Sequence, residues 1–241
     1  MAAPAVATVV ELPVRGRPVE GRGLTALAEK AYREIKAMIL ENRVHGGEHL
    51  LEDDLARAVG MSRTPLREAL VALQNDGLVS IVPRRGVRIE PLTVADMHEV
   101  HDLLQWLESQ AVHALASRPD RDVYVKELRQ LHLEMKRALA AGDIAAWAKA
   151  NDRFHVRLIA SAGNGRLEKI CGVLLDQSQR VRAFTLRLRK PPARTTESHA
   201  GMLKAIADGD GEKAVAIQMA NKKAWLAELE EIIERLQLRY L

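Results

Sequence analysis

From Leu24 onward the apolar positions recur at steps of three and four: Leu24, Leu27, Ala28, Ala31, Tyr32, Ile35, Met38 and Ile39. That spacing predicts an amphipathic helix that stops before Gly46-Gly47. A short second helix opens at Glu52 and runs through Val59; its acidic first turn, Glu52, Asp53 and Asp54, complements the positive end of the helix dipole, and Gly60 ends it. Ser62 stands where an N-cap belongs for a third helix, Arg63 to about Asp76, in which Pro65 costs little because first-turn amides have no helical partner. Beyond Gly77 the period changes. Leu78–Val82 and Val87–Ile89 alternate around Pro83-Arg84-Arg85-Gly86, which predicts a β-hairpin. Two helices, the tight turn Val59–Ser62, a third helix and a hairpin describe a winged helix-turn-helix, the arrangement that presents one helix to a major groove.

Pro91-Leu92-Thr93 forms a stiff linker, after which the pattern is helical. Helices are predicted near 94–117, 120–141, 143–162, 165–190, 195–208 and 210–238, separated by breaks such as Gly163-Asn164-Gly165 and Pro191-Pro192. Asp120 and Asp143 occupy N-cap positions. The last helix carries Ala214, Ile217, Ala220, Ala224, Trp225, Leu229, Ile232 and Leu236 on roughly one stripe. The first 22 residues lack periodicity and read as a flexible arm. The expected division is therefore an arm (1–22), a winged helix (23–90), a linker (91–93) and a helical ligand-binding and dimerisation unit (94–241). The fold class is mainly α: a winged helix-turn-helix followed by an all-α antiparallel bundle.

Composition sharpens this picture. Of 241 residues, 47% are hydrophobic and 28% charged, enough apolar side chain for a real core, which excludes wholesale disorder. Aromatics at 3% favour packed helices over a sandwich. The net charge of +4 is too small to announce nucleic acid by itself. Its distribution is more telling, because between Met61 and Arg88 five arginines face only Glu68 and Asp76. The single cysteine, Cys171, excludes an internal disulfide and suits a buried thiol in a reducing compartment. The N-terminal segment has no basic flank typical of a signal peptide, and no stretch reaches the ~20 apolar residues of a membrane helix. A soluble, cytoplasmic protein is expected.

Ser62, Arg63, Thr64 and Arg67 crowd the first turns of the third helix, while Leu66, Leu70 and Leu73 point inward. Arginine suits base reading because its planar fork can bond guanine O6 and N7 together; hydroxyls and free helix amides can hold phosphate. Residues 24–90 resemble the winged helix of the GntR family of bacterial transcription regulators. The resemblance rests on Gly-Glu-x-Leu-x-Glu-x-x-Leu-Ala (47–56), Ser-Arg-Thr-Pro-Leu-Arg-Glu-Ala-Leu (62–70), Leu-x-x-x-Gly-Leu (73–78) and Arg-Gly (85–86). Residues 94–238 resemble the all-helical FCD effector domain of that family's FadR-like branch. The resemblance implies DNA contacts from Ser62, Arg63, Thr64 and Arg67, with Arg85 and Gly86 at the wing tip. Asp53 stands where the family often has a basic residue, and a carboxylate there repels phosphate; Arg57, one turn later, is either a substitute contact or a surface charge.

In the helical part, Asn151 and His155 lie four apart on one helical face, and His199 and Asn221 follow in later helices. The resemblance implies a divalent metal, zinc, nickel or manganese, held by an Asp-x-x-x-His pair and two further histidines. His155 and His199 match that pattern; Asn151 and Asn221 replace Asp and His, and Leu104 replaces an arginine. Amide oxygens are weaker, uncharged ligands, so hydrogen-bonded core histidines are the competing reading. Asp152 faces about 100° away on an ideal helix and does not substitute. The run 177–196 carries six basic residues and no acid, and Arg180 and Arg187 share one stripe, from which an inward arginine would receive an effector carboxylate. Trp106, Trp147 and Trp225 read as core or interface packing.

The expected function is ligand-responsive, sequence-specific transcription regulation. A homodimer would read a pseudo-palindromic double-stranded operator and, as a repressor, be released by a small organic acid. The rival is a metal-dependent helical enzyme with the winged helix as an interaction module, motivated by His155 and His199 but lacking paired carboxylates, an activated nucleophile or a phosphate loop.

Overall fold

The computed structural model describes residues 23–185, 188 and 191–237. The arm and Arg187 therefore lie outside the described residues. The first unit is built from α1 (Ala26–Leu40), β1 (His49–Leu50), α2 (Glu52–Ala58), α3 (Arg63–Asn75), β2 (Val79–Val82) and β3 (Gly86–Ile89). Leu66, Leu70 and Leu73 of α3 are fully buried against Tyr32, Ile35 and Ile39 of α1, with Leu55, Val87 and Ile89 closing the core. Each such leucine contributes about 1.5–3 kcal/mol of burial, so α3 is held by its inner face and its outer face is left to solvent.

The strands form an antiparallel sheet in the order β1-β3-β2, with Val82 opposite Gly86 and Ile81 opposite Val87. The pattern predicted only the hairpin. β1 is two residues long, too short to show an alternation, and it exists because β3 offers a free edge, pairing Leu50 with Val87. This strand gives Gly86 its reason. At φ +86° a side chain is already strained, and a Cβ would stand 2.3 Å from the Leu50 carbonyl oxygen.

The second unit contains α4 (Val94–Ala116), α5 (Arg121–Ala140), α6 (Ile144–Ser161), α7 (Gly165–Thr185), α8 (Ala193–Ala207) and α9 (Gly211–Leu236). Local chemistry sets the starts. Thr93 and Asp96 form a reciprocal capping box on α4: the Asp96 amide donates to Thr93 Oγ1 (3.1 Å) and the Thr93 amide donates to Asp96 Oδ2 (2.9 Å). Asp143 accepts the Ala146 amide at 2.8 Å, and Asp210 that of Lys213 at 3.0 Å. Ser62 and Asp120 occupy N-cap positions, but neither side chain caps; Asp120 instead takes both Nε and a terminal nitrogen of Arg118, at 2.8 and 2.7 Å. α8 begins at Ala193, directly after Pro192; α7 spans Gly165–Thr185, and most of the remaining predicted stretch to 190 lies outside the described residues. Phe154, Met135, Leu128, Leu158, Met202 and Ile206 fill the main core, where α5 lies between α6 and α8 and α9 packs on α4 and α8.

The buried stripe of α9 departs from the apolar reading. Ala214, Gln218, Asn221, Lys222, Leu229 and Ile232 are buried, whereas Ala220 and Leu236 are exposed. A buried acid on α4 draws the polar residues inward, as set out below.

α7 joins the two units. Asp176 pairs with Lys36 of α1, and the Arg180 carbonyl accepts from Asn42 Nδ2 at 3.3 Å. The Arg180 guanidinium is buried between the units and donates to the Glu90 carbonyl at 2.9 Å.

Gly86→Ala is expected to destabilise the winged helix by at least about 2 kcal/mol, because strain and a backbone clash add. Gly60→Ala, at φ +63° with open space around it, should cost only about 1–2 kcal/mol. Urea denaturation of the two variants against wild type checks the order.

Candidate functional site

Two surfaces carry chemistry. On the first, Ser62, Arg63, Thr64 and Arg67 are all exposed on the outer face of α3, and Arg84 and Arg85 are exposed at the turn of the wing. Arg84 takes a left-handed conformation (φ +62°), and the Arg85 amide closes the turn on the Val82 carbonyl at 3.0 Å. Gly86 is half-buried against β1, so its requirement is steric.

The acids of α2 do more than repel. Asp53 accepts Nε and a terminal nitrogen of Arg63, both at 2.9 Å, and Glu52 accepts Nε of Arg67 at 2.8 Å. Hydrogen bonding to Arg63 holds the Asp53 carboxyl below its ordinary range. Arg57 pairs with Asp54 of its own helix. The carboxylate that looked out of place on a DNA-binding face is thus spent on orienting the arginine.

The second surface is a cavity of about 550 Å³ in the helical unit. α6 contributes Trp147, Asn151 and His155; α7 contributes Ser178 and Arg182; α9 contributes Asn221, Lys222 and Trp225; His101 comes from α4, and Pro191, Pro192 and Arg194 close one side. Beside it sits Glu108, fully buried on α4. Lys222 Nζ donates to Glu108 Oε1 at 2.9 Å, Gln218 donates to Oε2, and His155 Nδ1 stands 3.2 Å from Oε2 in an electrostatic contact without hydrogen-bond alignment. Burial by itself pushes the Glu108 carboxyl up, but the Lys222 ammonium and then His155 outweigh it and hold it well below the usual carboxylate range.

The candidate set Asn151, His155, His199 and Asn221 is only partly brought to the cavity. His199 lies behind it, stacked on Phe154 at 4.5 Å and edge-on to His155 at 5.3 Å, with both ring nitrogens buried and unpartnered. Burial, then the fields of His155 and His132, push its pKa well below the ordinary value, so its ring is neutral. Asn151 and Asn221 line the cavity, and the Oδ1 atom of each is buried without a hydrogen-bond partner. Among the described residues no group of three or more His, Cys, Asp or Glu side chains forms a metal-ligand set. Two weak amides, a recessed His199, a single imidazole at the cavity in His155 and an acid already neutralised by an ammonium do not fit a divalent ion. Cys171 is buried and its thiol is pushed up to about 11, chiefly by burial, which leaves it inert.

Arg180 does not serve this cavity. Its fork is directed to Glu90, because α7 turns that face to the winged helix. Arg182, two residues on, faces the cavity instead, donating to Ser178 Oγ at 2.8 Å and pairing with Asp152. Glu108, Lys222, Arg182 and His101 were missed from sequence. A signal for Glu108 existed: it shares a helical stripe with Leu104, Ala111, Val112 and Leu115, all buried. Trp147 and Trp225 line the cavity; Trp106 is 61% exposed.

A winged helix with a basic exposed face, joined through a buried arginine to a helical unit that contains a cavity lined by both polar and apolar side chains, defines a DNA-binding regulator with a sensor domain. Comparison with known proteins agrees: residues 27–89 match the family described as "Bacterial regulatory proteins, gntR family", and residues 99–221 match the FCD domain. The chain belongs to the GntR family, in the group that carries an FCD domain. It is 40% identical over 134 residues to an HTH-type transcriptional regulator in the TAR-I ttuE-ttuC' intergenic region of Agrobacterium vitis, covering 55% of this chain and 78% of that one. It is 23% identical over 213 residues to the HTH-type transcriptional repressor RspR of Escherichia coli K12, covering 86% and 87%. The solved structure of E. coli McbR/YncC shares the fold with a TM-score of 0.75 at 20% identity, over 86% of this chain and 99% of that one. A GntR regulator from Rhodococcus sp. RHA1 does so at 0.71 and 19%, over the same shares. These relatives are transcription regulators, and the enzyme reading is set aside on that ground. No helix among the described residues is long and apolar enough to cross a membrane.

The buried His101, stacked on Trp225 at 5.2 Å, has its pKa lowered to about 4, first by burial and then by Lys222. A neutral histidine in the fold and a titrating one in the unfolded chain mean that the unfolded state takes up more protons below pH 6.5. Stability is therefore full above pH 6.5 and falls as the pH drops toward 4, by up to about 3 kcal/mol for this group. Denaturation midpoints measured at pH 7 and pH 5 should fall for wild type, and less for His101→Gln.

Proposed function

We propose that the protein is an effector-responsive repressor that binds a pseudo-palindromic double-stranded operator as a cytoplasmic homodimer and leaves it when a small carboxylate enters the cavity. One observation carries the DNA reading: Ser62, Arg63, Thr64 and Arg67 are exposed on one face of a helix whose opposite face is fully buried, beside a wing tipped by Arg84 and Arg85. In that reading the hydroxyls and the α3 N-terminus hold phosphate, Arg63 and Arg67 read base edges, and Arg85 with Gly86 places the wing along the backbone. The repressor named RspR among the relatives favours the sign of regulation.

The carboxylate reading is supported by the cations Arg182, Arg194 and Lys222 around the cavity, with Arg182 and Lys222 in the role assigned from sequence to Arg180. Coupling is supported by α7. It bears cavity residues Ser178 and Arg182 and also Asp176 and Arg180, which hold the winged helix. A ligand with different affinity for two positions of that helix would shift the DNA-competent population. The dimer is supported by exposed Leu103 and Trp106 on α4 and Ile170 on α7, two helices packed together.

Arg63→Ala should reduce discrimination between the selected operator and one altered at the contacted base by roughly five- to a hundred-fold. Selection from random DNA followed by mobility shifts at ~150 mM salt measures it. Wild-type protein that prefers no sequence under those conditions would sink the operator reading. Trp106→Asp should turn the dimer into a monomer in analytical ultracentrifugation and weaken operator binding; a dimer unchanged by that variant places the interface elsewhere.

A further inference from the structure

One of the two hydrogen-bonding edges of Arg63 is already taken. A guanidinium carries five N–H donors in one plane, which form a side fork of Nε with one terminal nitrogen and an end fork of the two terminal nitrogens. Asp53 closes the side fork, with Oδ1 on Nε and Oδ2 on the terminal nitrogen, both at 2.9 Å. The end fork meets no partner among the described residues, and the side chain is 66% exposed. Guanine presents O6 and N7 to such a fork in the major groove. The carboxylate therefore fixes the guanidinium plane and leaves open an edge that matches guanine.

The arrangement extends to the second arginine. Arg67 lies four residues along α3, on the same face, and gives its Nε to Glu52 at 2.8 Å, while its terminal nitrogens meet no partner among the described residues. Asp54, the third acid of that turn, pairs instead with Arg57 of its own helix. Two carboxylates of α2 thus reach across to the exposed arginines of α3. They also act through charge. A bare guanidinium binds any phosphate within reach, and that contact carries no sequence information. Paired with Asp53, Arg63 brings no net charge to the backbone, whereas its hydrogen bonds to a base edge depend on where the fork is held. Hydrogen bonding to Arg63 keeps the Asp53 carboxyl below its ordinary range, so it is charged near neutral pH.

We infer that Asp53 is a specificity-determining residue that holds Arg63 end-on to a guanine and withholds its charge from phosphate. It lowers affinity for DNA in general and sharpens the choice at that base. Asp53 touches no base itself; it positions Arg63. The inference rests on Arg63 reading a base edge, as proposed above.

The test compares full-length wild type, Asp53→Asn, Asp53→Glu, Arg63→Ala and the pair Asp53→Asn with Arg63→Ala by mobility shift at ~50 to 200 mM salt. The probes are the operator selected from random DNA, the same operator altered at the base that Arg63→Ala releases, and random-sequence DNA. That base is expected to be guanine. Asp53→Asn keeps the shape of the side chain and removes its charge, and because the pair is exposed the melting temperature should stay near wild type. The variant should lose roughly five-fold or more of the discrimination at the guanine. It should also bind random DNA more tightly, with a salt dependence steeper by about one phosphate contact. Asp53→Glu, which keeps the charge, should retain most of the discrimination. In the Arg63→Ala background Asp53→Asn should leave discrimination at that base as it is.

The inference is overturned by a base other than guanine at that position, by unchanged discrimination in Asp53→Asn, by a loss spread evenly over all base positions, or by a loss of the same size in the Arg63→Ala background. Wild-type protein without sequence preference sinks the operator reading, whereas a preference that Asp53→Asn leaves intact sinks this inference alone.

Discussion

A carboxylate with no access to water must be neutralised where it stands, and Glu108 imposes that demand on the middle of the helical bundle. Lys222 and Gln218 reach it from α9 and His155 approaches from α6, so the acid sets the rotation of two helices about a third. The consequence runs along α9, whose buried face is polar at Gln218, Asn221 and Lys222 and apolar only toward its ends. The pKa values of His101 and His199 are lowered chiefly by burial; the Lys222 charge adds to this, and the Glu108 charge opposes it. The cavity is the space beside this arrangement, and its polarity follows from it.

α7 extends the same logic to the winged helix. Side chains four residues apart on a helix share a face and those two apart do not, and α7 uses this: Ser178 and Arg182 look to the cavity while Asp176 and Arg180 look to α1 and to the chain leaving β3. Arg180 is enclosed with its Nε unpartnered and one terminal nitrogen on Glu90, and burial lowers its pKa from the ordinary arginine value. A buried guanidinium held by a backbone carbonyl is sensitive to small displacements, because any loss of that bond leaves a charge without compensation. The two units are therefore joined by side chains of α7 as well as by the linker 91–93.

On the DNA-reading face the balance is different. Pairs such as Arg63 with Asp53 are exposed to solvent and screened by salt, so they orient the arginine without anchoring the fold. The helix itself is fixed from the other side by Leu66, Leu70 and Leu73, which separates stability from recognition on a single short element.

Much of this molecule was legible from local pattern. Helix positions followed from the 3.6-residue period and from Gly, Pro and Asp at the ends, and the reading face of α3 followed from its apolar opposite, because capping and amphipathicity depend on residues within a turn or two. The family resemblance was equally local, resting on one contiguous run. What pattern could not supply was the direction of a side chain relative to a distant partner. Glu108 meets Lys222 across 114 residues and Arg180 meets Glu90 across 90. A two-residue strand, β1, appears only once β3 offers an edge, and Asp53 changes from a repulsive charge to a positioning one only when α2 lies beside α3. The sequence by itself determined nearly all the elements and the exposed basic face of α3. The tertiary structure decided which polar groups share a cavity, because that depends on how helices pack to neutralise one buried acid.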